Sequence, residues 1–240
     1  MELIVKQGQR EGVVGDCPFS HRVMLTAVEE GLFEESTIRT VDLDAKPAWF
    51  LEASSTGSVP MLLLADGATV EGSGAICAWL SEKGTAKLRN QDDTSCECTA
   101  SARAAVAKLF PSFVAYVKTL GQQDEASREE RRAAMLEALQ GIEAVLEARA
   151  GDVGASPGEG TEIFLCGRAL TPLDLDLSPK LHHLAVVCTH YADNPLAGDA
   201  IFPSVSAYLD RMRSRDAWRQ TQYDDALVIE GWRKHIEKEK

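Results

Sequence analysis

Along the first part of the chain, up to about residue 84, short apolar stretches of strand length alternate with stretches of helical spacing. Strands are predicted at 2–6 (ELIVK) and at 36–43 (STIRTVDL), where β-branched and polar residues alternate. Between them, a helix is predicted over 18–30, since its apolar positions share one face. That face is formed by Val23, Met24, Ala27 and Val28.

The rest of this part predicts a short helix, a hairpin and a further helix. KPAWFLEAS (46–54) favours the short helix, and VPMLLLA and ATVE favour two strands that turn at Asp66-Gly67. Ser73 opens the last helix, which ends near Gly84. The predicted order is βαβαββα, which is typical of an α/β domain with a mixed sheet and helices on its faces.

The remaining residues predict helices only. We expect a first domain over 1–84, a polar linker without periodicity over 85–100, and an all-helical domain over 101–240. Pro111 is expected to kink one helix at Phe110. An amphipathic helix is predicted at 127–150, with further helices at 201–213 and 224–238.

The helical part also contains a helix-start pattern and a glycine-rich segment. TPLD at 171–174 predicts a capping box, with Thr171 as N-cap, Pro172 in the first turn and Asp174 three residues after the cap. An ordinary helix start explains it, so we assign it no chemistry. The glycine-rich segment 152–160 is predicted to be a loop.

Composition excludes several classes of protein. With 240 residues, of which 45% are hydrophobic, the chain can bury a core, but no stretch approaches the ~18 apolar residues of a membrane helix. The net charge of −12 argues against a general nucleic-acid binder. MELIVKQGQR has neither the pattern of a signal peptide nor that of a transit peptide. Six cysteines are too few for a disulfide scaffold in a chain of this length, so we expect a reducing compartment.

The most informative cysteine is Cys17, in GDCPFSHR (15–22). Pro18 is preset for the first helical turn, which places Cys17 at the N-cap. Unpaired backbone N–H groups and the helix dipole there favour a negative sulfur. The acidic neighbour Asp16 opposes this if it lies close, although it can instead accept hydrogen bonds. The alternative for Cys17 is a small buried residue.

Ser20 stands where a second cysteine would complete C-x-x-C. Oxidised Cys17 therefore has no local resolving thiol, and an external thiol such as glutathione must reduce it. His21 and Arg22 lie within the first turn and can add positive potential. Cys96 and Cys98 form a lone C-x-C, which is a poor metal signal, so no metal site is predicted.

A helix-capping cysteine in a βαβαββα half, Val59-Pro60 before a strand, and a T-x-x-D helix start in an all-α half resemble the glutathione transferase superfamily. Five segments resemble the dehydroascorbate reductases of plants and algae, in the same order along the chain. They are GDCPFSHRV, KPAWFLEAS, GSVPMLLL, LSPKLHHL and VIEGW. The resemblance implies a thioredoxin-like first domain and the reduction of dehydroascorbate by two glutathione molecules.

The same resemblance implies the residues of the site. It makes Cys17 the nucleophile and places Lys6 and Asp16 against both substrates. The glutathione site is implied to contain Lys46, Val59, Pro60 and Ser73. The ascorbate side is implied to contain His183 and Trp232. Each has a structural alternative: a surface lysine, a turn before a strand, a helix-capping serine, a structural histidine or a tryptophan that docks the last helix.

The chain departs from that family at two places. Glu71-Gly72-Ser73-Gly74 replaces an acidic-Ser-Asp turn, and His182 stands where the family has an aromatic residue. The resemblance further implies glutathione as cosubstrate with no tightly bound cofactor, a monomer, and a cytosolic location, or the chloroplast stroma if a leader is removed. The rival classes are an omega-like thiol transferase, a relative of the chloride intracellular channels, and a non-catalytic glutathione-binding module.

Overall fold

A computed structural model describes residues 1–85, 88, 97–152, 154, 162–198 and 201–237. The chain divides into two compact units. The first unit consists of Met1–Leu88 and Asp216–Leu227, and the second of Arg89–Arg215 and Val228–Lys240. Most of the predicted linker and of the loop 152–160, with Cys96, lies outside the described residues, so the domain limits stay a prediction.

The first unit contains the predicted βαβαββα order, which is thereby confirmed. Its elements are β1 (Glu2–Lys6), α1 (Pro18–Glu29), β2 (Thr37–Val41), α2 (Ala48–Ala53), β3 (Met61–Leu63), β4 (Thr69–Glu71) and α3 (Ser73–Lys83). The strands form one sheet in the order β2-β1-β3-β4. β1 pairs with β2 in parallel and with β3 in antiparallel orientation, which makes the sheet mixed.

Alternation along the strands gives this sheet two apolar faces. Leu3 and Leu62 pack with Val23 and Ala27 of α1 and with Ile76 of α3. On the opposite face, the neighbouring residues Ile4 and Met61 pack with Phe50 of α2. Cys77 is buried with the first group, as its place on α3 predicts. Both faces of the sheet are therefore covered by helices. This packing holds β1, and with it the carboxyl end of the strand, in place.

The hairpin predicted at Asp66-Gly67 joins β3 to β4. The Gly67 N–H donates to Leu64 O over 3.0 Å, and Gly67 takes a φ of +85°. Since this left-handed conformation favours glycine, the turn explains why glycine occupies the position.

The helices after the first unit's α3 are α4 (Glu97–Val117), α5 (Glu125–Asp152), α6 (Pro172–Tyr191), α7 (Pro203–Ser214), α8 (Asp216–Thr221) and α9 (Asp225–Ile236). α4 continues through Pro111, and the kink expected at Phe110 stays a prediction. α8 is not predicted from the sequence, and it packs in the first unit against α1. Among the described residues, no helix combines the length and the apolar character that crossing a bilayer requires.

Two buried carboxylates in the second unit accept hydrogen bonds from residues at the starts of helices. Asp174 accepts hydrogen bonds from the backbone N–H and the hydroxyl of Thr171, at 2.8 and 2.6 Å, which confirms the predicted capping box. Its burial raises the pKa of Asp174 above its ordinary value. Glu143 of α5 accepts from the N–H groups of Ser204 and Val205, each at 2.8 Å, at the start of α7. Since Phe202 precedes α7 and cannot cap it, Glu143 supplies the missing acceptor.

Candidate active site

Cys17 is the N-cap residue of α1, as its sequence predicts. Its backbone is extended, Pro18 fills the first helical position, and Sγ accepts a hydrogen bond from the Ser20 N–H at 3.4 Å. The side chain is half-buried, so it is neither sealed in the core nor fully solvated. A sulfur in this position faces the backbone amides of the first turn of α1, which is the positive end of the helix dipole.

A tight loop after β1 brings Cys17 to this position. The Gly15 N–H donates to Lys6 O at 2.7 Å, and Gly8 N–H donates to Val13 O, so the chain returns alongside the strand it has just left. A Cβ at Gly15 would lie 2.5 Å from Gln7 O. Because no side chain fits there, glycine is required two residues before the cysteine.

Lys6 and Asp16 form an ion pair in which Lys6 Nζ lies 2.5 Å from Asp16 Oδ1. Asp16 is 9% exposed, and Lys6 is half-buried at the end of β1. The sequence suggested that Asp16 accepts from a substrate or from a helix N–H; in the structure its acceptor function goes to Lys6. The cation next to Asp16 offsets the negative charge beside Cys17.

The ring of His21 is buried against the segment 216–227, and a positive potential from it at the sulfur stays a prediction. Its ring is 1% exposed, and Nε2 lies 3.1 Å from Thr221 Oγ1. The ring also packs edge-on against Trp218 and Tyr223, with centroid distances of 4.4 and 5.1 Å. His21 therefore joins α1 to the segment 216–227 within the first unit.

Val59 and Pro60 are joined by a cis peptide bond ahead of β3. Pro60 O accepts from the Gly72 N–H at 3.2 Å, whereas the backbone groups of Val59 make no hydrogen bond to a described residue. Lys46 Nζ lies near the same loop, because a Cβ at Gly57 would be 3.6 Å from it. The loop thus presents an unpaired main-chain edge beside an exposed cation.

Glu71 at the end of β4 holds that loop from the other side. Its Oε2 accepts from the hydroxyls of Thr56 and Ser54, at 2.7 and 3.0 Å, and from the Thr56 N–H. Its Oε1 accepts from the Ser55 N–H at 2.7 Å. These donors, the Thr56 hydroxyl first, lower the pKa of Glu71 from 4.5 to about 2. Both oxygens of the ionised carboxylate therefore accept hydrogen bonds from residues of the first unit.

Ser73 is the first residue of α3, but it is not the cap. Gly72 occupies the N-cap position with a φ of +83°, and no side chain caps the helix. The expectation that Ser73 caps α3 is corrected accordingly, because the chain turns one residue earlier at a glycine. Ser73 stays half-buried at the helix start, among backbone amides that suit a carboxylate.

His183 and Trp232 contact each other within the second unit. Trp232 Nε1 donates to His183 Nδ1 at 3.0 Å, and Trp232 also packs against Phe113 with a centroid distance of 5.0 Å. His183 is 1% and Trp232 8% exposed. Trp232 therefore docks the last helix, which was the structural alternative, while remaining bonded to the histidine that the resemblance assigns to ascorbate.

The other described cysteines do not form a second reactive centre. Cys77 and Cys188 are buried, and burial raises the pKa of Cys188 to about 12. Cys166 is half-buried in the second unit. Within the ranges that the structure describes, no cluster of His, Cys, Asp and Glu could hold a metal ion.

Sequence reasoning missed two contributors to the first unit. The sequence places Glu71 in a turn and gives no role to Tyr223. Tyr223 is the one aromatic residue in the polar run RQTQYDD (219–225), and this was the available signal. The carboxylate of Glu71 gave none, because its partners lie 15 to 17 residues earlier in the chain.

Comparison with known proteins completes the description. Residues 16–83 match the family model of the N-terminal domain of glutathione S-transferase. The chain is 30% identical to glutathione S-transferase DHAR2 of Arabidopsis thaliana, over 93% of this chain and 92% of the relative. It is also 30% identical to a probable cytosolic glutathione S-transferase DHAR1 of Oryza sativa subsp. japonica, over 91% and 90%. The crystal structure of Chlamydomonas reinhardtii dehydroascorbate reductase matches with a TM-score of 0.76 at 28% identity, over 98% of both chains.

Proposed function

Since this chain belongs to the dehydroascorbate reductases of the glutathione S-transferase family, we propose that it reduces dehydroascorbate with glutathione at the sulfur of Cys17. One observation carries the proposal: Cys17 Sγ caps α1 and accepts a hydrogen bond from a backbone amide, while the side chain remains partly exposed. This arrangement places the sulfur at a helix start where a substrate can reach it.

In the first step, the thiolate gives two electrons to dehydroascorbate. Together with one water molecule, this yields the ascorbate anion and a sulfenic acid on Cys17; the oxygen of the water remains on the sulfur and one of its protons goes to ascorbate. The sulfenic acid then reacts with an external thiol, which displaces its oxygen as water.

Glutathione completes the cycle in two steps. The first glutathione condenses with the sulfenic acid to a mixed disulfide and releases water. The second attacks the glutathione sulfur of that disulfide, which releases glutathione disulfide and restores the Cys17 thiolate. An external second thiol is needed because Ser20, not a cysteine, lies one turn away.

For the glutathione site we propose Lys46, Val59, Pro60 and Ser73, with Lys6 and Asp16 beside the sulfur. The unpaired backbone of Val59 supports binding of the extended peptide as an added strand. Lys46, which makes no ion pair with a described residue, suits a terminal carboxylate. The amides at the start of α3 suit the other carboxylate.

For the ascorbate side we propose Lys6, Asp16, His183 and Trp232. The Lys6 cation supports this assignment because the product is an anion. His183 accepts from Trp232 at Nδ1, so Nε2 is the protonated nitrogen of this imidazole. Glutathione is the cosubstrate in this scheme. We further propose a monomer that works in the cytosol, with the chloroplast stroma as the alternative.

A coupled assay of ascorbate formation, with and without glutathione, tests the function. Cys17→Ser is expected to abolish turnover with an unchanged unfolding midpoint, because a hydroxyl is not ionised at the working pH. Cys166→Ser is the matched control and is expected to retain full activity. Appreciable turnover by Cys17→Ser would end the scheme. Intact mass after dehydroascorbate alone gives the order of steps, since a gain of one oxygen means that oxidation precedes glutathione.

A second candidate function is thiol transfer, in the manner of an omega-like glutathione transferase. The same half-buried sulfur at a helix start can attack a mixed disulfide, which needs no dehydroascorbate. A substrate panel that compares dehydroascorbate with glutathionylated peptides separates the two activities. Thiol transfer without ascorbate formation would favour the second candidate.

A further inference from the structure

A segment from the far end of the chain packs against the first turns of α1, within the first unit. α8 contacts α1, and Oγ1 of Thr221, the last residue of α8, lies 3.1 Å from Nε2 of His21. The buried His21 ring also contacts the rings of Trp218 and Tyr223 edge-on, with centroid distances of 4.4 and 5.1 Å. Three side chains of the segment 216–227 therefore contact this one imidazole.

The hydrogen bond between His21 and Thr221 has one possible direction. A threonine hydroxyl has a single proton, and Thr221 donates it to Ala217 O at 2.7 Å. Its oxygen therefore accepts from His21 Nε2–H. Because the backbone of α8 orients the hydroxyl in this way, the bond fixes the rotation of the imidazole ring.

The residue that carries this ring also makes the first backbone hydrogen bond of α1. The His21 N–H donates to Cys17 O at 2.9 Å, and the preceding amide, that of Ser20, donates to Cys17 Sγ at 3.4 Å. Helix ends fray, because the first amides lack the partners that later turns have. A side chain held from outside at His21 opposes such fraying in the turn that contacts the sulfur.

The same segment also packs against the loop that leads to Cys17. A Cβ at Gly8 would lie 3.3 Å from Leu227 Cδ1, so Leu227 packs directly on Gly8. The Gly8 N–H donates to Val13 O at 2.7 Å, and Val13 is four residues before Cys17. The segment 216–227 therefore contacts the chain both before and after the cysteine.

We propose that His21 is a positioning residue for Cys17. Its bond to Thr221 keeps the amide that faces the sulfur in place while the sulfur reacts. A small displacement of a reacting atom lowers the rate even when the protein stays folded. The inference rests on the proposed function in one respect, which is that Cys17 is the reacting group. It holds for dehydroascorbate reduction and for thiol transfer, because both use the same sulfur.

Two substitutions in the full chain remove this bond from its two sides. His21→Phe keeps a buried ring and removes the donor, while Thr221→Val keeps the shape and removes the acceptor. In each variant we expect the rate of Cys17 alkylation by iodoacetamide at fixed pH, and kcat/KM for dehydroascorbate, to fall about three- to tenfold, as for the loss of one hydrogen bond. The double variant should fall no further, because the two side chains act through one bond. Thr221→Ser keeps the oxygen and should retain the wild-type rates.

A purely structural role for His21 gives a different pattern. It lowers the free energy of unfolding and leaves the alkylation rate of Cys17 in the folded protein unchanged. Local opening would raise the labelling of buried Cys77, and peptide mapping separates the two cysteines. Thr189→Val is the matched control, since the Thr189 hydroxyl donates to Ala185 O and accepts from Asn194 Nδ2 in the second unit. This variant should change neither alkylation nor turnover.

The outcomes separate this inference from the proposed function. Slower Cys17 alkylation in both variants, with no further loss in the double variant, supports the inference. Unchanged or faster alkylation in either folded variant, losses that multiply, or a Thr221→Ser variant as slow as Thr221→Val overturns it. If His21→Phe does not fold, the comparison of Thr221→Val with Thr221→Ser decides alone. A wild type that does not reduce dehydroascorbate overturns the proposed function, and the alkylation rates then still decide the inference.

Discussion

The indole N–H of Trp232 donates to Nδ1 of His183 across 3.0 Å. Because an indole can only donate, the imidazole nitrogen that faces it must be the unprotonated one. The pair thus selects one neutral tautomer of His183 and places a proton on Nε2. This one hydrogen bond therefore both attaches Trp232 to His183 and determines which nitrogen of His183 is protonated.

His183→Asn separates these two aspects. The Asn oxygen can replace Nδ1 as the acceptor for Trp232, but nothing replaces Nε2–H. His183→Ala loses both the acceptor and a buried ring, so we expect its free energy of unfolding to fall by about 2–4 kcal/mol. The fall in His183→Asn should be smaller. Both variants should lose dehydroascorbate reduction equally. Urea unfolding and kcat/KM measure this, and full activity in His183→Asn would remove His183 from the ascorbate side.

Ser20→Cys should change the intermediate that accumulates. A thiol one turn after Cys17 can displace glutathione from the mixed disulfide, which closes a disulfide within α1. After treatment with dehydroascorbate and limiting glutathione, intact mass should show two hydrogens lost in the variant and one glutathione added in the wild type. Ser20→Ala, which has the same backbone and no thiol, is the control. A glutathione adduct on Ser20→Cys would show that the new sulfur does not reach Cys17.

Glu71→Gln should weaken glutathione binding without affecting Cys17. The amide cannot match an ionised carboxylate that accepts from Thr56, Ser55 and Ser54, so the loop before Val59 becomes less ordered. We expect KM for glutathione to rise about three- to tenfold, with an unchanged rate of Cys17 alkylation. Glu52→Gln, at an exposed position of α2, is the control and should change neither value. An unchanged KM for glutathione in Glu71→Gln would show that the loop does not need this carboxylate.

The same carboxylate contributes to acid stability. Its folded pKa of about 2 lies below the ordinary 4.5, so its contribution is fully present above pH 4.5. It is lost as the pH falls from 4.5 towards 2, because protonation removes an acceptor from its donors. Unfolding measured between these limits should depend less on pH in Glu71→Gln than in the wild type; equal slopes would contradict the assignment.

Glu143→Gln should destabilise the second unit. Its buried carboxylate accepts from two N–H groups at the start of α7, and an amide can serve only one of them well. We expect the free energy of unfolding to fall by about 2–4 kcal/mol. Glu147→Gln, at an exposed position one turn further along α5, should change stability by less than about 0.5 kcal/mol. Chemical denaturation measures both, and similar values would mean that α7 needs no cap.

The parts of this fold that the sequence predicts are those with short-range causes. The N-cap position of Cys17 follows from Pro18, and the hairpin follows from Asp66-Gly67. The capping box follows from residues three positions apart, Thr171 and Asp174. In each case the atoms that interact are neighbours in the chain, so composition and spacing carry the information.

The parts that the sequence does not predict depend on distant partners. Glu71 contacts a loop of another element, and Ser73 yields the cap to Gly72 because the turn comes one residue early. His21 reaches Thr221, 200 residues away, so no local pattern could predict its orientation or place α8 in the first unit. Side-chain direction is set by packing, which spacing along one segment does not specify.

The group that faces the Cys17 sulfur is the peptide nitrogen of residue 20. Every amino acid except proline carries that nitrogen with its hydrogen. Any residue other than proline that fits this buried position therefore keeps the contact to Sγ. Proline alone would remove the donor while leaving Cys17 itself unchanged.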